Sequence, residues 1–400
     1  MRSFASFSVL VLVLFAGTAA AQPAMGPGNS QRQQCDISRD PQRVISACTV
    51  IANSGMSNSA VSLALSNRGV AYEKLGQVDR ALADYNEAIR RDPTNPHAWA
   101  NRGKVYLDRG DFDLALADYD KDIELHPQNP FALAHRADAY FIHGNPQRAL
   151  EDYDEAIKYD SKNPNLFIRR GEALHATRDE DRALADFDRA IALNGKALIA
   201  YINRGLVRAA KGDLEHAMAD LDLAIKLDPK SSMALGARAQ VYEAEGERER
   251  ALGDLNAAVA LEPNAQLLVR RGNIYQAMNQ YDRAVADYGE ALKLDPNFVA
   301  AYVNRANAYV RTENYARALA DYDQAAKLNG AVGILMNRGV VREKMGQDGP
   351  AIADLDQVLS RNPDNPLALY YRGLAKHNMN DPSGTADIAR ARELDPNVDK

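Results

Sequence analysis

Two cysteines, one tryptophan and seven histidines are all that 400 residues hold of those types, and each scarcity removes something. Two cysteines are too few for a common zinc site, and no two histidines stand at H-x-x-x-H spacing, so no metal centre is expected. No G-x-x-x-x-G-K-[ST] or G-x-G-x-x-G element is present to cradle a phosphate, and no G-x-S-x-G elbow presents a nucleophile. Neither catalysis nor a cofactor is expected on these grounds. Basic residues are outnumbered, 48 Lys and Arg against 54 Asp and Glu, for a net charge of −6. Without a basic face, nucleic acid is not an expected partner. The chain is 46% hydrophobic and 26% charged, ordinary for a folded soluble protein.

Long apolar runs are missing except for one. Ser8 to Gly17 reads SVLVLVLFAG, with Arg2 ahead of it and Ala19-Ala20-Ala21 behind. This pattern predicts a signal peptide over 1–21, cleaved after Ala21. A retained anchor is the alternative, but the run from Phe7 to Ala21 is shorter than the ~20 residues a spanning helix needs. Export is therefore expected, with no stable membrane insertion after cleavage. Residues 22–34 have no apolar periodicity and are expected to form a linker. Cys35 and Cys48 come next. In an exported chain the pair reads as one disulfide, with two reduced buried thiols as the alternative. Asp40-Pro41 opens a helix in which Val44, Ala47, Cys48 and Ile51 share a face. Residues 35–61 are expected to form a half-repeat that caps the first full copy of a longer periodic region.

That region carries one motif again and again. Asn67-Arg68-Gly69 returns as Asn101-Arg102-Gly103, and Arg136, Arg170, Arg204, Arg238, Arg271, Arg305, Arg338 and Arg372 each open a further copy. A period near 34 residues marks a helical solenoid. In the first half of a copy Arg68 and Tyr72 share a helix face, and Gly76 ends the helix. In the second half Ala81, Tyr85 and Ala88 make one apolar stripe, and Asp92-Pro93 closes it. Asn95-Pro96, Asn129-Pro130, Asn163-Pro164 and Asn365-Pro366 supply a cap and a first-turn proline to the next helix.

In these residues the chain resembles the tetratricopeptide repeat family over 62–398, in ten copies. The resemblance implies an all-α fold, a right-handed superhelical solenoid of stacked helix-turn-helix repeats. Ala137, Ala239 and Ala306 stand where the family has glycine, and Asp122 stands where it has a small buried residue. The last copy is degenerate, with Lys376 at a tyrosine position.

All ten copies carry the Arg, and all ten carry an Asp in the second helix, from Asp84 to Asp387. Both border buried stripes, where a charge must be paired. A structural Arg–Asp ladder is expected, the alternative being a row of arginines lining an anion-binding groove. By resemblance, the binding groove is built from the first helix of each copy. Its expected lining is Phe131, Phe141, Ile142, Ile168, Ile199, Ile202, Leu206, Ala209 and Met233. The alternative is that these side chains only pack helix on helix. The expected function is a non-enzymatic exported scaffold, periplasmic or secreted, that holds a protein or peptide partner. A self-assembling envelope protein and a peptidoglycan- or polysaccharide-associated module are the alternatives.

Overall fold

A computed structural model describes residues 35–37 and 40–399. The expected signal peptide (1–21) and linker (22–34) lie outside the described residues. Those residues form 21 helices and no strand, so the chain is all-α as expected. The first helix, Pro41–Ala52, stands alone. The remaining twenty fall into ten antiparallel pairs, the first being Asn58–Lys74 with Val78–Arg91 and the last Pro366–Asn378 with Gly384–Leu394. The pairs are numbered 1 to 10 below.

The helix ends follow the sequence signals. Asp40 accepts bonds from the backbone N–H groups of Gln42 and Arg43, and Asn95, Asn129, Asn163 and Asn365 cap their helices in the same way. Gly110 ends Pro96–Arg109 at φ 81°, a left-handed conformation that glycine adopts without strain. Arg178 and Glu313 take that conformation with a side chain attached.

The chain divides into two compact units, 1–220 and 221–400. In the first, the lone helix and repeats 1–4 stack in chain order, each helix packing on the next. In the second, repeats 6–10 do the same. In both, the apolar stripe of the second helix is fully buried: Ala81, Tyr85 and Ala88 in repeat 1, and Ala284, Tyr288 and Ala291 in repeat 7. The first-helix glycine lets the ring approach closely, since a Cβ on Gly69 would lie 2.4 Å from the Tyr85 ring.

The Arg–Asp ladder is complete. In every repeat the arginine donates two bonds to its aspartate, as Arg170 does through Nε to Asp186 Oδ2 (2.8 Å) and Nη2 to Oδ1 (2.6 Å). The third guanidinium nitrogen reaches the preceding repeat. Arg170 Nη1 donates to Asp154, Arg136 to Asp120, Arg238 to Asp222 and Arg372 to Asp356. Each of these arginines therefore ties three helices in two repeats. Arg305 makes the two bonds to Asp321 and no third among the described residues, because Gly289 stands where the preceding repeat would offer an acceptor. The degenerate repeat 10 keeps its rung, with Arg372 and Lys376 both on Asp387.

Cys35 and Cys48 are joined by a disulfide. Val44, Ala47, Cys48 and Ile51 pack on Ala64 and Ala71 of repeat 1, so the lone helix lies against that repeat. The first repeat helix begins at Asn58, so residues 58–61 belong to the repeat rather than the cap. Arg68 Nη1 donates to Thr49, which gives the cap the same third bond that joins repeats.

Candidate functional site

Most successive first helices touch one another within each unit, as Asn58–Lys74 touches Pro96–Arg109 and Ala265–Ala277 touches Val299–Arg311, while successive second helices do not come as close among the described residues. The first helices therefore line the tighter wall of each stack. Side chains on that wall decide what it can hold.

The expected apolar lining is placed there only in part. Phe131 is 45% exposed and Ile142 is 37% exposed. Phe141, Leu206, Ala209 and Met233 are half-buried. Ile168, Ile199 and Ile202 are buried, Ile202 almost completely, and this corrects the expectation for those three. The physical reason is the contact between neighbouring first helices, which closes over side chains that a single helix would present to solvent. Phe131 and Ile142 are left as the exposed apolar points of this wall in the first unit.

Between them runs a polar row that the sequence pattern does not announce. A tyrosine hydroxyl of the second helix donates to an acceptor on the first helix of its own repeat, and the next repeat's first helix reaches the same acceptor. Tyr153 donates to Asp138 (2.6 Å), and Arg169 of repeat 4 pairs with the same carboxylate. Tyr85 and Lys104 share Glu73. In the second unit Tyr288 and Asn304 both donate to Asn273, at 2.8 Å each. The acceptors fall one residue after the Gly position, or four in the case of Glu73, at positions with no fixed residue type. The available signal was the recurrence of an acceptor at those offsets.

Burial and charge shift the acids on this wall. Burial pushes the Glu172 carboxyl up to about 7, against the opposing pull of an Asn203 hydrogen bond (2.8 Å) and of Arg169. Burial also acts to raise Asp138, but the Arg169 guanidinium, His135 and the Tyr153 hydroxyl together hold it below the usual range. Off this wall, on the second helix of repeat 2, burial pushes Asp122 up to about 6. Its Oδ1 and the Tyr119 hydroxyl have no hydrogen bond. Tyr119 lacks a partner because Lys104, a donor that turns to Glu73 and Asp108, stands where other repeats place an acceptor.

A cleft of about 490 Å³ opens in the second unit. It is lined by Asn273, Gln276, Ala277, Asn279, Tyr281, Asn304 and Arg311. Side-chain amides dominate it, and Arg311, whose Nε donates to Tyr281 (3.3 Å), has no acidic partner among the described residues. Such a surface offers hydrogen bonds to peptide groups. Among the described residues no group of three or more His, Cys, Asp and Glu is disposed to hold a metal. No described helix is long and apolar enough to cross a membrane. The ladder arginines have their guanidinium bonds directed inward, at Asp and Asn partners, rather than presented as a row of free cations.

Comparison with known proteins places this architecture. The chain matches the family described as tetratricopeptide repeat over residues 66–130, 135–197, 178–232 and 299–331, and as TPR repeat over 272–313. Together the matches span more than half of it. Its fold is similar to that of a tetratricopeptide repeat protein from Parabacteroides merdae, at 23% identity and a TM-score of 0.55, over 62% of this chain and 98% of that one. It is also similar to the human IFIT1 dimer with PPP-AAAA, at 15% identity and a TM-score of 0.53, over 89% and 85% of the two chains. No curated protein matches the sequence.

Proposed function

The chain belongs to the tetratricopeptide repeat family, and on that premise we propose that it is a non-enzymatic, exported scaffold that binds a protein or peptide along its first-helix wall. The fold is one used for protein–protein interaction, and its members are typically scaffolds without catalysis. The observation that carries the reading is the wall itself: exposed Phe131 and Ile142 in one unit and an amide-lined cleft in the other. Aromatic anchors amid polar groups are the anatomy of a binding surface. Export is supported by the N-terminal charged and apolar pattern and by the disulfide, since such bonds persist in oxidising compartments. The periplasm is the compartment that fits a signal peptide on a repeat protein of this kind.

The test is site-specific photocrosslinking in cells. A photoreactive phenylalanine at Phe131, on the wall, should yield adducts with a partner chain. The same residue at Leu223, exposed on a second helix, should yield none. Adducts from Leu223 and not from Phe131 would overturn the reading. Fractionation of the same cells checks export: a chain that keeps residues 1–21 in the cytoplasm is not exported.

A further inference from the structure

The ladder makes one contact nine times and omits it once. In nine repeats the third guanidinium nitrogen of the ladder arginine donates to a side chain of the element before it, at 2.5–3.0 Å. Six of the nine acceptors are aspartate carboxylates, Asp154 and Asp323 among them, and Asn86, Asn256 and Thr49 supply the rest. A guanidinium between two carboxylates is therefore the usual rung of this chain.

Arg305 is the exception. Its Nε and Nη2 donate to Asp321 at 2.8 and 2.7 Å, and its Nη1 has no acceptor among the described residues. Glycine stands at the acceptor position, on the second helix of repeat 7. A Cβ on Gly289 would meet one neighbour within 4 Å, and that neighbour is Arg305 Nη1 at 3.6 Å. The space that an aspartate side chain fills in other repeats is thus open here, with the guanidinium as its wall. Glu290, next in the chain, turns to Lys293 instead (2.6 Å). Arg305 is the most exposed of the ten ladder arginines, at 22%, and its unpaired nitrogen is not a buried one. Asp321 stands behind the guanidinium, so a dianion meets stronger repulsion there than a single negative charge does.

We propose that Gly289 and Arg305 form a carboxylate site, in which a carboxylate from outside the chain takes the Arg305 Nη1–H as Asp323 takes that of Arg338. The site lies within the second unit, on the second-helix side and apart from the first-helix wall, so it goes beyond the scaffold reading. Two sources carry the group: an Asp or Glu side chain of a protein, and a free carboxylic acid.

The first arm of the test uses trifluoroacetate as the probe, titrated into the full chain against chloride at fixed ionic strength and followed by fluorine NMR line broadening. Gly289→Asp supplies the acceptor in cis and fills the notch. Gly289→Ala adds a methyl group at ordinary contact distance and supplies no acceptor. Both keep the fold, since aspartate is the residue other repeats carry there, and circular dichroism verifies it. Loss of one charge-assisted bond weakens binding about tenfold, so Gly289→Asp should lose the position-specific broadening while Gly289→Ala keeps it. Equal broadening in the parent and Gly289→Asp overturns the site. The second arm places a photoreactive phenylalanine at Ala286, exposed and one turn from Gly289, in cells. Adducts kept in Gly289→Ala and lost in Gly289→Asp, mapped beside an acidic residue of the captured chain, assign the carboxylate to a protein. Adducts indifferent to position 289, with the first arm positive, assign it to a free acid. Crosslinks from Phe131 are unchanged in either variant, so the scaffold reading stands or falls separately.

Discussion

Removing one arginine of the ladder should cost far more in repeat 4 than in repeat 5. Asp186 is a buried carboxylate whose side chain is 7% exposed, and both its bonds come from Arg170. Arg170→Ala leaves that charge without a partner and also frees Asp154 of the preceding repeat. Breaking a buried pair from one side costs ~3–5 kcal/mol, and an exposed pair ~0–1. Arg170 is 19% exposed, so water reaches the vacated space and the lower end, about 3 kcal/mol, is expected. Asp220 differs because a second cation, Arg208, donates to it at 2.7 Å beside Arg204. Arg204→Ala therefore leaves Asp220 paired and should cost ~1–2 kcal/mol. Urea unfolding measures the totals. Hydrogen exchange locates them, since stability in stacked repeats is roughly a sum over neighbours: faster exchange should centre on Pro164–Ala176 and Glu180–Leu193. Arg170→Ala/Asp186→Ala should recover part of the loss, because no lone charge remains. Equal costs at the two sites, or none at either, would refute the account of the ladder as buried, partner-dependent charge.

Three further outcomes are expected from the same structure. Ile202→Asp should unfold its repeat, since Ile202 is 1% exposed, whereas Phe131→Ser should leave the melting temperature nearly unchanged; a stable Ile202→Asp chain would return that residue to the binding face. Thiol labelling without reductant should find no free cysteine, and reduction should loosen the cap by up to ~3 kcal/mol while leaving repeats 6–10 unaffected; full labelling would refute the bond. Glu172, raised from 4.5 to about 7, contributes stability that is fully present below pH 4.5 and lost as pH rises through 7, where the buried group ionises. Glu172→Gln should then gain on the parent by up to about 3 kcal/mol between pH 5 and pH 8, and a difference that does not change with pH would sink this assignment.

The period, the helix pairs, the caps and the ladder were all legible because each is a local pattern repeated in phase. Arg68 and Asp84 stand 16 residues apart in every copy but the last, so one pairing, once suspected, was suspected ten times. The third guanidinium bond was not foreseen, because Asp120 and Asp154 look like ordinary solvated acids until a neighbouring repeat is laid against them. Ile199 and Ile202 failed for a related reason. Helical spacing places them on one face, but the same spacing serves a groove and a helix–helix contact, and only the approach of adjacent first helices decides between them. Arg208 stands four residues after its ladder arginine, where repeat 1 has Tyr72. It is a second donor to Asp220, a role Arg342 repeats for Asp354. The acceptors shared by Tyr153 and Tyr288 were hidden because Asp138 and Asn273 differ in type while doing the same thing.

The missing third bond of Arg305 has a mechanical meaning. Repeats 7 and 8 meet without the cross-tie that Arg271 and Arg338 give to their own neighbours. This joint is tied on the first-helix wall instead, by Asn304 to Asn273 (2.8 Å) and Arg311 to Tyr281 (3.3 Å), so the load between repeats 7 and 8 runs through the lining of the cleft rather than through the ladder. It is also the joint spanned by the amide-lined cleft, with Asn273 on one side and Asn304 and Arg311 on the other. A peptide seated across it would act as a splint, so that the load at which repeats 7 and 8 separate reports whether the cleft is filled.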